Sequence, residues 1–225
     1  MKKLLQKIVP VLSICILGTG CALTHQSRSV ETKGFLKNYE QLQKGEKGQA
    51  HLVYINPNTD FKKYSKIYIA PIQAWSSKDS GLSGLDKKDI QALVNYLRAT
   101  VVKELSTDYD LVKQPEPGAF TLKMAITDAE GSNVPLDIIS HALPVGMAIS
   151  VIKRVAVGAH SSVGKAAIEV EAVDSLTNER LGAFVDARVG ALRVRDMHKK
   201  WSDPQSSFDY WAKKMKSRLA ELRSK

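Results

Sequence analysis

Hydrophobic and polar positions follow two different periods along this chain. In AFTLKMAITDAE, Phe120, Leu122, Met124 and Ile126 alternate with Thr121, Lys123, Ala125 and Thr127. A period of two is that of a strand with one buried face. The stretches VGKAAIEVEAVD and ERLGAFVDARVG repeat that pattern on either side of SLTN. They predict a hairpin, with Ile168, Val170 and Ala172 facing one way, Glu169 and Glu171 the other, and Asn178 in the left-handed turn position. HLVYIN (51–56) and KIYIAPIQAW (66–75) read as earlier strands, PNTDFKKY between them as a turn with a short helical piece, and YDLVKQ as a short strand before the PEPG turn.

The second period is helical. Ile90, Leu93, Val94, Leu97, Val101 and Leu105 recur at three- and four-residue steps behind Asp86, a capping residue, with Asp89 in the first turn. Phe208, Trp211, Ala212, Met215, Leu219 and Leu222 form a similar stripe near the C-terminus, with Asp203 as the expected cap and Pro204 in the first turn. The order of strand, helix, several strands and helix predicts an α/β (α+β) domain, with helices packed on a mixed or antiparallel sheet, over 49–225. A single core suits that length.

The N-terminus is patterned differently. Lys2, Lys3 and Lys7 precede an apolar run from Ile8 to Leu17, and Gly18, Thr19 and Gly20 lead into Cys21. This is the order of a secretory signal, and the run is well short of the roughly 20 residues that span a bilayer. The stretch resembles a bacterial lipoprotein signal over 1–20, which makes Cys21 the expected acylation site; Cys15 follows bulky Ile14 where a small residue is wanted. Acyl chains at about 0.8 kcal/mol per buried methylene anchor a protein stably when several are attached. Ala22 occupies the position where an aspartate would signal inner-membrane retention, so the resemblance implies the outer membrane, with the domain facing the periplasm. Residues 21–48 read as a polar tether in which Phe35, Leu36, Tyr39 and Leu42 predict a short docking helix.

Charge adds a moderate basic excess, 33 Lys and Arg against 23 Asp and Glu, interspersed as on a solvated surface. An exported chain without paired aromatic and basic motifs points away from nucleic acid. The histidines, His25, His51, His141, His160 and His198, lack metal-ligand spacing, and no cofactor motif is present; GAHSSVGK departs from a phosphate loop in its spacing and in Ala166 after the lysine. Glu169 and Glu171 together with Asp186 and Arg188 are read as one face of the hairpin, an exposed field of cross-strand ion pairs rather than a catalytic carboxylate pair. No catalytic residue is assigned.

One run stands apart. Between Asp137 and Lys153 no residue carries a formal charge apart from His141, so residues 134–158 are either a buried hairpin over the sheet or an apolar contact through Ile138, Ile139, Leu143, Met147 and Ile149. In order along the chain, GFLKNYEQL, YINPNTDFKKYSKIYIAPIQAW, AITDAEGSN, IEVEAVDSLTNERLGAFVDAR and FDYWAKKMKSRLAEL resemble the Gram-negative lipoprotein family catalogued as domain of unknown function 3313. The resemblance implies an envelope lipoprotein and carries no activity with it. Two function classes follow: a non-catalytic, lipid-anchored module that binds an envelope protein or cell-wall component, or a membrane-associated or pore-like homo-oligomer assembled through 134–158. An enzyme acting on an envelope polymer is the weaker alternative.

Overall fold

The computed structural model describes residues 24–132, 163–190 and 200–225. Among the described residues nine strands form one mixed sheet: β1 (Thr24–Gln26), β2 (Gln43–Lys44), β3 (Leu52–Ile55), β4 (Lys66–Ile69), β5 (Gln73–Ala74), β6 (Asp110–Val112), β7 (Ala119–Glu130), β8 (Lys165–Asp174) and β9 (Arg180–Gly190). The spatial order is β2-β3-β9-β8-β7-β4-β6, with β1 also on β9 and β5 also on β7. The pairs of β4 with β6 and of β4 and β5 with β7 are parallel, and the others are antiparallel.

Two helices, α1 (Lys87–Leu105) and α2 (Ser202–Ser224), cover one face. The Asp86 side chain accepts from the Asp89 amide at 2.7 Å, the cap expected of it. Leu93, Leu97, Val101 and Leu105 of α1 meet Phe208, Trp211, Ala212 and Met215 of α2 above Phe120, Leu122, Met124, Ile126, Ile168 and Val170. Both apolar periods therefore converge on one core. Asn178 stands at φ 59 in the hairpin turn, where the Asp174 carboxylate also accepts from the amides of Leu176 and Thr177.

Three local expectations change. Residues 66–75 split into β4 and β5, since Pro71 has no amide to continue a ladder. Asp203 lies inside α2 rather than capping it, and its carboxylate instead accepts from Ser132 Oγ at 2.8 Å and the Gly164 amide at 2.7 Å. The tether expected over 21–48 belongs to the sheet from Thr24 onward: β1 pairs with Gly190–Arg188, and Leu36 and Leu42 are buried against Ala183 and Val185. The docking helix is a single 3-10 turn, Tyr39–Gln41, entered through Asn38 at φ 53.

Residues distant in sequence gather at one pole. Thr24 pairs with Gly190, the Gly190 amide donates to Gly164 O, and the Ser132 amide donates to Lys200 O, each at 2.9 Å for the latter two. Gly190 permits this closeness, because a Cβ there would meet the Asp203 carboxyl carbon at 2.0 Å.

Candidate functional site

The helix-covered face also carries an opening beside α2. There α2 runs past β8 and β9, while β3 lies beyond its flank, and a groove of about 360 Å³ remains between them. The volume falls in the range of small-ligand sites, about 300–1,000 Å³. Its floor is apolar: Val53 and Ile55 of β3, Leu122 of β7, Ala172 of β8 and Phe184 of β9. The depression follows from the register, since Ala172 pairs with Gly182 and two of the smallest residues lie side by side. Gly182 is also kept small by its neighbours, as a Cβ would come within 3.1 Å of Ile55 Cδ1. One lip carries Lys47, in the turn between β2 and β3, and the other carries Lys214 and Arg218 of α2. Arg218 pairs with Glu221 at 2.6 Å. Among the described residues, Lys47 and Lys214 meet no carboxylate.

At the groove's inner end Asp186 is 1% exposed and receives four donors: Gln26 Nε2 at 2.8 Å, the His51 amide at 3.2 Å, His51 Nδ1 at 2.7 Å and Trp211 Nε1 at 2.7 Å. Four donors compensate a buried carboxylate well. Ser27, His51 and Asp186 stand in the order of a hydrolase triad, but the distances describe a strut. His51 Nε2 is 3.0 Å from the Ser27 carbonyl oxygen and 3.5 Å from its hydroxyl, and that hydroxyl donates to Ser29 O. Nδ1 stands 2.7 Å from Asp186 Oδ1 and Nε2 3.0 Å from Ser27 O, so the ring joins the end of β1 to the start of β3. Arg188 continues the contact by donating to Thr24 Oγ1 and Thr24 O, with its guanidinium 3.5 Å from the Tyr210 ring centre. Burial pulls the Arg188 pKa down from its usual value, against the opposing influence of Tyr210 and Asp186.

Glu169 lies on the other face and is fully buried. Its carboxylate accepts from the amides of Lys33 (2.6 Å), Phe35 (3.2 Å) and Leu36 (3.1 Å) and from the Tyr39 hydroxyl (2.5 Å). Desolvation first, then the Glu169 hydrogen bond and charge, push the Tyr39 hydroxyl up to about 12. Glu171 meets Arg180, whose guanidinium also donates to Lys37 O, Asn38 O and Gln41 Oε1.

The expected exposed field of four charges is corrected on two counts. Ile168 pairs with Asp186 and Glu169 with Val185, which sends Asp186 and Arg188 to the helix side and Glu169 and Glu171 to the back. Glu169, Asp186 and Arg188 are buried, because residues 24–42 cover one side and α2 the other. Their roles, and those of His51, Lys47 and Lys214, escape sequence patterning. The one usable signal was the apolar spacing of Phe35, Leu36, Tyr39 and Leu42, which requires a surface to dock on. Cys21, Ile138, Ile139, Leu143, Met147, Ile149 and His141, His160 and His198 lie outside the described residues. Among the described residues no group of three or more His, Cys, Asp or Glu is placed to hold a metal ion, and no helix is long and apolar enough to cross a membrane.

The family model described as "Protein of unknown function (DUF3313)" matches residues 31–215. No curated protein matches the chain. Among solved structures, it is similar to the PelC dodecamer from Paraburkholderia phytofirmans, at 8% identity and TM-score 0.39, with 72% of this chain and 96% of that chain covered. A DUF4136 family protein from Bacteroides thetaiotaomicron is similar at 9% identity and TM-score 0.36, covering 74% and 94% respectively. Lipoprotein GNA1162 from Neisseria meningitidis is similar at 10% identity and TM-score 0.32, covering 70% and 99%.

Proposed function

We propose that this chain, which belongs to the DUF3313 family, is an envelope lipoprotein anchored through Cys21 that acts as a non-catalytic binding module facing the periplasm. The observation that carries the binding role is the groove beside α2, which combines an apolar floor with two lysines that meet no carboxylate among the described residues. The strut geometry around His51 supports a non-catalytic reading, since Nε2 lies closer to the Ser27 carbonyl oxygen, at 3.0 Å, than to the Ser27 hydroxyl, at 3.5 Å.

Anchoring and fold are linked on this reading. With Thr24 already paired to Gly190, only Ala22 and Leu23 separate the acylated cysteine from the sheet. The domain then lies close against the bilayer with the Asp203 pole inward, in place of swinging on a long tether. Cys21→Ser should abolish palmitate labelling and leave the leader uncut, while Cys15→Ser changes neither. Wild-type protein should fractionate with outer-membrane markers, and Ala22→Asp should shift it to the inner membrane. Palmitate retained by Cys21→Ser defeats the anchoring claim.

A second reading, in which residues 134–158 make a membrane or homo-oligomer contact, is favoured by one observation. The described residues flanking that stretch, Ser132 and Gly164, are both bonded to Asp203 at the pole where Thr24 emerges. On this reading, Ile139→Asp in an unacylated chain lowers vesicle association or self-association and leaves the melting temperature unchanged. A lowered melting temperature with association intact assigns the stretch to the domain core.

A further inference from the structure

We infer that the groove between α2 and β3 binds a single-chain amphiphile with an anionic head, a carboxylate or a phosphate. The inference rests on the binding-module reading and names the ligand class it would serve. Three features carry it. The floor of Val53, Ile55, Leu122 and Phe184 offers apolar contact and places no unpaired polar side chain toward an occupant; Asp186, at the inner end, is fully engaged by four donors. A body without hydrogen-bonding groups suits such a floor. The mouth has the opposite character, with exposed Lys47 and Lys214 on facing lips and no carboxylate to neutralise either among the described residues. Two such charges favour an anion held between the lips, where the ammonium groups remain hydrated at little cost. The dimensions supply the third feature: about 360 Å³ between α2 and β3 gives room for one small ligand such as a single acyl chain.

The pairing of Ala172 with Gly182 makes the floor adjustable by mutation. Leucine at 172 would fill the depression from β8 without touching either lip. Ser217, exposed on α2 at the mouth, offers an independent way to close the site with a tryptophan.

The test uses the mature chain from residue 21 carrying Cys21→Ser, produced without residues 1–20, so that neither an acyl chain nor the apolar leader competes. Laurate, dodecyl phosphate and dodecyltrimethylammonium are titrated by calorimetry below their micellar concentrations. Laurate and dodecyl phosphate should bind saturably with one site, and the cation at least about tenfold more weakly, the effect of one favourable charge contact. Phosphate binding much tighter than carboxylate binding would identify a lipid-phosphate source, and parity a free fatty acid. Lys47→Glu combined with Lys214→Glu should reverse the order of anion and cation. Ala172→Leu and Ser217→Trp should each abolish binding of all three. Equal affinity for cation and anion, anion binding that survives both filling variants, or no saturable binding overturns the proposal. A photo-crosslinker at Leu222 supplies the remaining arm: joining to residues 133–162 of the same chain, or to a second copy, gives the groove to that occupant and overturns the proposal. These results are independent of palmitate labelling at Cys21, so failure of the ligand and failure of the anchor are separately visible.

Discussion

The two faces of the sheet are covered by different physics. On the front, α1 and α2 bury a continuous apolar cluster that includes Leu97, Phe120, Ile168, Phe208 and Trp211. On the back, the buried apolar group among the described residues is Leu36, Leu42, Ala183 and Val185, with half-buried neighbours such as Phe35 and Tyr54. What holds residues 27–42 there is polar: Glu169 gathers three amides and a phenol, and Arg180 gathers two carbonyls and a side-chain amide. Apolar burial is non-directional and scales with area, so it tolerates small shifts. A buried carboxylate with four donors is directional and all-or-none, and removing it leaves amides stranded. The front should therefore fail with the whole domain, and the back should come away by itself.

The largest effect should come from the front. Leu97→Ala empties a fully buried site and should cost about 2–5 kcal/mol of global stability by chemical denaturation. Hydrogen exchange should rise on both faces together. Loss confined to α1 would show that the front is not the common core.

Glu169→Gln should cost less, about 1–3 kcal/mol, because its amide group sets donors against the donors of Lys33, Phe35 and Leu36. Exchange should accelerate across residues 33–42 while α1 stays protected. Equal acceleration in α1 would erase the distinction between the faces.

Alkaline titration sharpens the comparison further. The Tyr39 hydroxyl is raised from 10.0 to about 12 in the folded chain, chiefly by desolvation and then by Glu169. Its contribution is fully present below pH 10, and is lost as the pH rises from there through about 12. Over that window proteolysis should begin within residues 27–42. Tyr64, also raised to about 12, by desolvation and by Asp174, would weaken a different contact in the same window. Tyr39→Phe is the control: it has no proton to lose, so the rise in cleavage across this pH window should disappear if Tyr39 is the cause.

Arg180→Ala should have a smaller effect, about 1 kcal/mol, seen as faster exchange near Tyr39–Gln41. Leu176→Ser, at the exposed tip of the β8–β9 hairpin, should change stability by less than about 0.5 kcal/mol. A larger loss at Leu176 would mean that the tip is covered by something beyond the described residues.

Much of the fold was legible before the structure. The stripe from Leu93 to Leu105 became the buried side of α1, and 119–130 became β7 with the predicted bounds. Asn178 took its left-handed position, and the family match covers the stretches that suggested it except for residues 216–222 of the last. The candidate site was far less legible. Lys47 and Lys214 resemble any other surface lysine in sequence, and they acquire a role only because β3 and α2 set them on facing lips.

By itself, then, the sequence determined the elements, their apolar sides and the family, because period and turn chemistry act within a few residues of chain. Tertiary structure alone decided which polar groups are interior. Glu169 alternates with Ile168 and Val170 as a solvent-facing residue would, and is buried because Lys33–Tyr39, more than 100 residues earlier, closes over it. Asp186 and Glu169 went to opposite faces through the register of β8 on β9. A side chain's own period fixes the side of its strand, but register and distant chain fix what lies there, and the cost of burying a charge depends on that partner.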